Sequence, residues 1–157
     1  MDIDFGMLRE ALSKLDEGQK PSWGTMTATR MLTHCNAFIN VSIGVQKVSR
    51  SSRWMGWLIG GLYLRYLARI HYDITKLQKN SKTLKNFINS SNSIDFDAEM
   101  SELLENLAKI ELLNSDTIHH QLYGSMDRKK FQKLMFFHTA YHLYQFDLIN
   151  PDYPRMD

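Results

Sequence analysis

Apolar residues recur three and four positions apart over four stretches of this chain, a spacing that predicts four helices. The first runs from about Asp4 to Asp16, with Phe5, Leu8, Leu12 and Leu15 on one face. The second follows "PSWGTMT" with Thr27 as N-cap and continues to about Val48; Met31, His34, Phe38, Val41 and Val45 share its inward stripe. The third follows "NSSNSIDFD", is capped by Asp95 or Asp97, and carries Met100, Leu103, Leu104, Leu107 and Ile110. The fourth starts behind Asp127 and ends near Ile149, where Asn150-Pro151 stops it. Its inward positions are Phe131, Leu134, Met135, His138, His142, Gln145 and Ile149. No stretch alternates with period two, and the 157 residues read as one all-α domain.

The connection from Ser49 to Phe96 is 48 residues, too long for a turn between antiparallel neighbours. It can carry the chain back along a bundle, so that helices two and three run parallel. Trp54 to His71 has helical character, which Gly56, Gly60 and Gly61 oppose; "NSSNS" at Asn89 to Ser93 reads as a polar loop. The uncharged run Trp54 to Leu64, bracketed by Arg53 and Arg65, falls far short of the ~20 residues a membrane span needs.

Charge separates this middle from the rest. The chain carries +2, but Lys47 to Lys85 holds nine Lys/Arg against Asp73, hence +8, leaving −6 elsewhere. A solvated basic face accounts for this, and no nucleic-acid partner is expected. The Trp-rich segment 50–69 also has the composition of a surface for an anionic membrane or a partner chain. Its nearly all-round apolarity favours burial, against the other helices or in a homodimer. The acidic, amphipathic start and the single cysteine, Cys35, point to a reducing cytoplasmic setting.

Histidine placement raises the chemical question. His138 and His142 are four apart and share one helix face, close enough for two imidazoles to share one ion. His34 lies seven residues into helix two, about 10 Å along it; His142 and His138 lie about 10 and 16 Å from the end of helix four. If those helices are antiparallel neighbours, all three rings sit at matching depth. Three neutral imidazoles with an open position suit zinc or nickel and a catalytic or binding role. Satisfied core histidines are the other reading, and spacing does not separate the two.

"WGTMTATRMLTHCNAF" and "YGSMDRKKFQKLMFFHTAYHLYQF" resemble the DinB-like (YfiT-type) superfamily. More narrowly, they resemble a subfamily with a Trp-Gly-x-Met opening that leads to a histidine, and a terminal His-x-x-x-His-x-x-Gln-Phe. Here those positions are Trp23, Gly24, Met26, Met31 and His34, then His138, His142, Gln145 and Phe146; "KNSKTLKNF" is similar to a mid-chain motif. The resemblance implies a four-helix bundle of up-down-down-up topology with a long second connection. It also implies a metal triad of His34, His138 and His142. Several such proteins are similar to S-transferases or isomerases using low-molecular-weight thiols such as bacillithiol or mycothiol. One departure is Gln121 after His120, where the subfamily commonly has proline, which weakens any role for His120.

Other residues take lesser parts. Cys35 points about 100° away from His34 and reads as a core thiol. His71 and His119 read as surface residues. Trp23 fits either a pocket mouth or a plug over the bundle end, and Gln145 either a partner for a ligand imidazole or a packing group. The functional expectation is metal-dependent transfer of a small thiol to, or hydrolysis of, a small electrophilic substrate, with the general base unassigned. A non-enzymatic protein that binds through segment 50–69 is the alternative.

Overall fold

The computed structural model describes residues 3–80 and 95–150, and is mostly helical. Its helices are α1 (Phe5–Leu12), α2 (Ala28–Ser42), α3 (Arg50–Arg69), α4 (Phe96–Glu111) and α5 (Arg128–Gln145). One short 3-10 turn, Ile74–Lys76, follows α3. Most of "KNSKTLKNF" and all of "NSSNS" lie outside the described residues.

Side-chain caps start the helices. Asp4, Thr27, Ser49, Asp95 and Asp127 each accept from a first-turn backbone N–H, satisfying donors that have no carbonyl within the helix. Backbone geometry stops them. Gly44 (φ 84°) ends α2, leaving Val45 72% exposed, outside the inward stripe its spacing suggested. At the end of α5, Asp147 adopts φ 57° and donates to the Tyr144 carbonyl, while Leu148 N–H reaches that of Leu143. That left-handed cap ends the helix at Gln145, short of Asn150-Pro151.

Helices α1, α2, α4 and α5 pack against one another, with α5 touching each of the other three. Its Phe131, Leu134, Met135, Phe136, Phe137, Ala140 and Leu143 are all buried, so α5 is wrapped nearly all round. Each buried phenylalanine contributes about 1.5–3 kcal/mol through removal from water. Between α2 and α4 a polar link crosses the interface: Asn36 Nδ2 donates to the Glu99 carbonyl and carboxylate, and Asn106 Nδ2 donates to Asn36 Oδ1.

A two-stranded antiparallel hairpin departs from the all-α expectation. β1 (Thr117–His120) pairs with β2 (Gly124–Asp127), His119 opposite Ser125. Each strand has four residues, too few for alternation to stand out. The hairpin is pinned to α2. Gln121 Nε2 donates to the carbonyls of Val41 (2.9 Å) and Gln46 (2.7 Å). Gln121 thus holds the hairpin against the end of α2.

Residues 50–69 of the middle segment form a helix. Along α3 two of the three glycines that spoke against it form its packing surface: Gly56 and Gly60, buried with Leu64 and Leu67, lie against Leu122 and Tyr123. A Cβ on Gly56 would meet the Leu122 carbonyl oxygen at 2.8 Å, whereas one on Gly61 would meet nothing within 4 Å. Gly56→Ala is therefore expected to destabilise by about 1–3 kcal/mol. Gly61→Ala is expected to be neutral or to stabilise by up to about 1 kcal/mol. Urea denaturation of the two variants checks this; equal effects would contradict the packing.

Candidate metal centre

Helices α2 and α5 bring three histidines to one point. His34, on α2, and His138 and His142, one turn apart on α5, place donor nitrogens that all lie within 4.8 Å of one another. Ring centroids are 4.7 to 5.0 Å apart. His34 Nε2 and His138 Nε2 stand 3.2 Å apart. Two imidazole nitrogens each ~2.1 Å from one ion lie roughly 3.0–3.4 Å apart for angles from about 90 to 109°.

Surrounding residues fix the rings. Phe38, one turn beyond His34, stacks on His138 at 3.8 Å between centroids and 10° between planes. Gln145 Nε2 donates to the Trp23 carbonyl at 2.8 Å, which sets the amide so that Oε1 faces His142 Nδ1 at 3.0 Å. His142 therefore carries its proton on Nδ1 and presents a lone pair on Nε2, as a metal ligand must. Gly24 permits this tie: it has φ 83°, and a Cβ there would stand 3.0 Å from Gln145 Nε2. His138 Nδ1 is buried and has no hydrogen-bond partner among the described residues.

Electrostatics keep the two rings of α5 neutral. Burial pushes His142 down to about 3, helped by His34 and opposed by the bond to Gln145. Burial also pushes His138 well below the usual imidazole range, with His142 and His34 adding to the effect. Three imidazole nitrogen donors without a thiolate or carboxylate fit a late divalent cation such as zinc or nickel.

A pocket of about 580 Å³ opens over the triad, within the range of small-molecule sites. Helix α3, which sequence reasoning did not place at the site, forms its far wall with Met55, Ile59, Tyr63 and Tyr66. Leu122 and Tyr123, from the hairpin turn, add to the lining. No Lys, Arg, Asp or Glu lines the pocket among the described residues. Burial pushes the Tyr63 phenol up to about 12 and the Tyr123 phenol higher still, so at neutral pH both are hydroxyl donors, not bases. The wall was hidden because it needs a hairpin no periodicity announced and a helix interrupted by glycine.

The remaining candidates are placed as follows. Trp23 is half-buried at the pocket rim, its ring against Tyr144 at 5.1 Å and Lys79 Nζ 4.2 Å from its centre. Cys35 is buried beside Met31, and burial pushes its thiol up, away from nucleophilic use. His71 and His119 are exposed. His120 is fully buried, and its Nδ1 accepts from the Leu122 and Tyr123 amides at 3.0 and 3.3 Å. Its proton therefore sits on Nε2 and is donated to Ser42 Oγ at 2.8 Å, so it cannot act as a base toward that serine. Its ring lies 6.0 Å from that of Phe38, which also stacks on His138.

A family model described as a protein of unknown function (DUF1569) matches residues 1–148. This chain belongs to that family. No curated protein and no solved structure matches it. Among the described residues, no helix of this DUF1569 chain is long and apolar enough to cross a membrane.

The depressed histidines make stability depend on pH. His120 is also pushed down, to about 3, by burial and by His119. Folded, these rings stay neutral; unfolded, each takes a proton near its ordinary 6.5. Their contribution is complete above about pH 6.5 and is lost as pH falls toward 3, approaching about 1.4 kcal/mol per pH unit per ring. Chelator-treated protein should thus melt at lower temperature at pH 5 than at pH 7.5. His120→Gln should reduce the proton uptake on unfolding by about one. A pH-independent midpoint would contradict the burial assigned to these rings.

Proposed function

We propose that this chain is a DinB-like metal protein in which α1, α2, α4 and α5 form the up-down-down-up bundle and His34, His138 and His142 hold one zinc or nickel ion. Its chemistry is transfer of a low-molecular-weight thiol to a small electrophile, or hydrolysis of one. The observation that carries this reading is the convergence of three imidazoles on the floor of a pocket of about 580 Å³. The packing of those four helices and the long α2-to-α4 connection agree with such a bundle.

A bound divalent ion supplies Lewis acidity there, favouring the anionic, nucleophilic form of a thiol or a water. The chain's residues do the rest. Phe38 and Gln145 hold the donor rings in orientation before substrate arrives. The walls from α3 and the hairpin exclude water and receive an apolar or aromatic group. Without a charged side chain among its described lining, the pocket suits an uncharged electrophile. Tyr63 and Tyr123 can donate hydrogen bonds to a polar atom of it. In the transfer reaction a carbon–sulfur bond forms, the leaving group departs with its electron pair, and the thiol proton passes to solvent.

The test uses zinc- or nickel-loaded protein, a cysteine-derived thiol and an uncharged aromatic halide, with halide release as the readout. Turnover should exceed the uncatalysed rate and vanish in His138→Ala or on chelation. Gln145→Leu should keep the fold yet weaken metal binding about 10- to 100-fold. Turnover that survives both His138→Ala and chelation would contradict the proposal.

A further inference from the structure

Helix α3 has a second face, directed away from the pocket and the hairpin. Trp54 is 66% exposed, Trp57 74% and Leu62 66%, with Leu58 also uncovered. At about 100° per residue these four and Gly61 fall within an arc of roughly 140°. Within the same arc Arg50 lies at the N-terminal end of the helix and Arg65 and Arg69 at its C-terminal end, with Arg53 to the side; all four are exposed. The helix contains no acidic residue, and none of these arginines is in an ion pair among the described residues.

We propose that this face docks on an anionic lipid surface. The opposite face already holds the helix in place through Gly56, Gly60, Leu64 and Leu67, so the tryptophans are not needed to anchor it. An apolar centre with tryptophans suits the headgroup boundary, where indoles sit half in hydrocarbon and half in water. Arginines at both ends reach lipid phosphates while their stems lie along the apolar zone. The charge pattern speaks against a second copy of this chain: two such faces would bring four arginines from each helix together without a carboxylate from either. A single convex helix face also offers no concavity for the anchor side chain of an acidic protein partner.

The full-length chain is tested by flotation with vesicles of phosphatidylcholine alone and of phosphatidylcholine mixed with phosphatidylglycerol. It should float with the mixed vesicles only, and raised salt should release it. Trp57→Glu and Arg65→Glu should each weaken binding by about tenfold or more. Both side chains are exposed, so the variants should melt as wild type does. Absence of flotation on either vesicle, or equal recovery on both, would overturn the proposal. So would a dimer in sedimentation that Trp57→Glu dissolves while vesicles are ignored, since the face would then belong to a second copy.

Discussion

Three imidazoles with donor nitrogens within 4.8 Å of each other cannot all be protonated, and much of the architecture follows from keeping them aimed at one point. The rings come from two helices, so α2 and α5 must meet at one depth and one rotation. The tie from Trp23 through Gln145 to His142 fixes one ring from the loop before α2, and the stack of Phe38 on His138 fixes another from α2 itself. Neither contact is strong alone; a neutral hydrogen bond adds about 1 kcal/mol net. Together they settle the donor orientation before any ligand arrives.

Helix α3 joins the two proposed activities of the molecule. One flank walls the pocket with Met55, Ile59 and Tyr63, a glycine face seats it on the hairpin, and the outer arc carries tryptophan and arginine. Membrane-surface binding through segment 50–69 is thus compatible with the metal centre, because the two use different faces of one helix.

Much of the site was legible in the chain because helical periodicity acts over short distances. His138 and His142 at spacing four, and His34 seven residues into its helix, suffice to align the rings once α2 and α5 pair. Gln145 was visible for the same reason, one turn beyond His142. Helix starts were legible too, since Thr27 and Asp127 cap through side chains. Helix ends were less so: Asp147 adopts a left-handed conformation that residue type only weakly announces, and Gly44 turns Val45 outward. The hairpin was missed because four-residue strands leave no periodic trace, and with it went the role of Gln121, the burial of His120 and the far wall of the pocket. Glycines in α3 read as helix breakers because their use, close approach to Leu122 and Tyr123, is a long-range contact.

The most direct test of the metal centre is the metal-to-protein ratio, measured by plasma mass spectrometry on untagged wild type and His138→Ala purified side by side. The account predicts about one zinc or nickel per wild-type chain, and its loss in the variant while helical circular dichroism is kept. Absence of metal from both proteins after incubation with zinc and nickel, or equal metal in both, would contradict it and return His34, His138 and His142 to the core as packing groups.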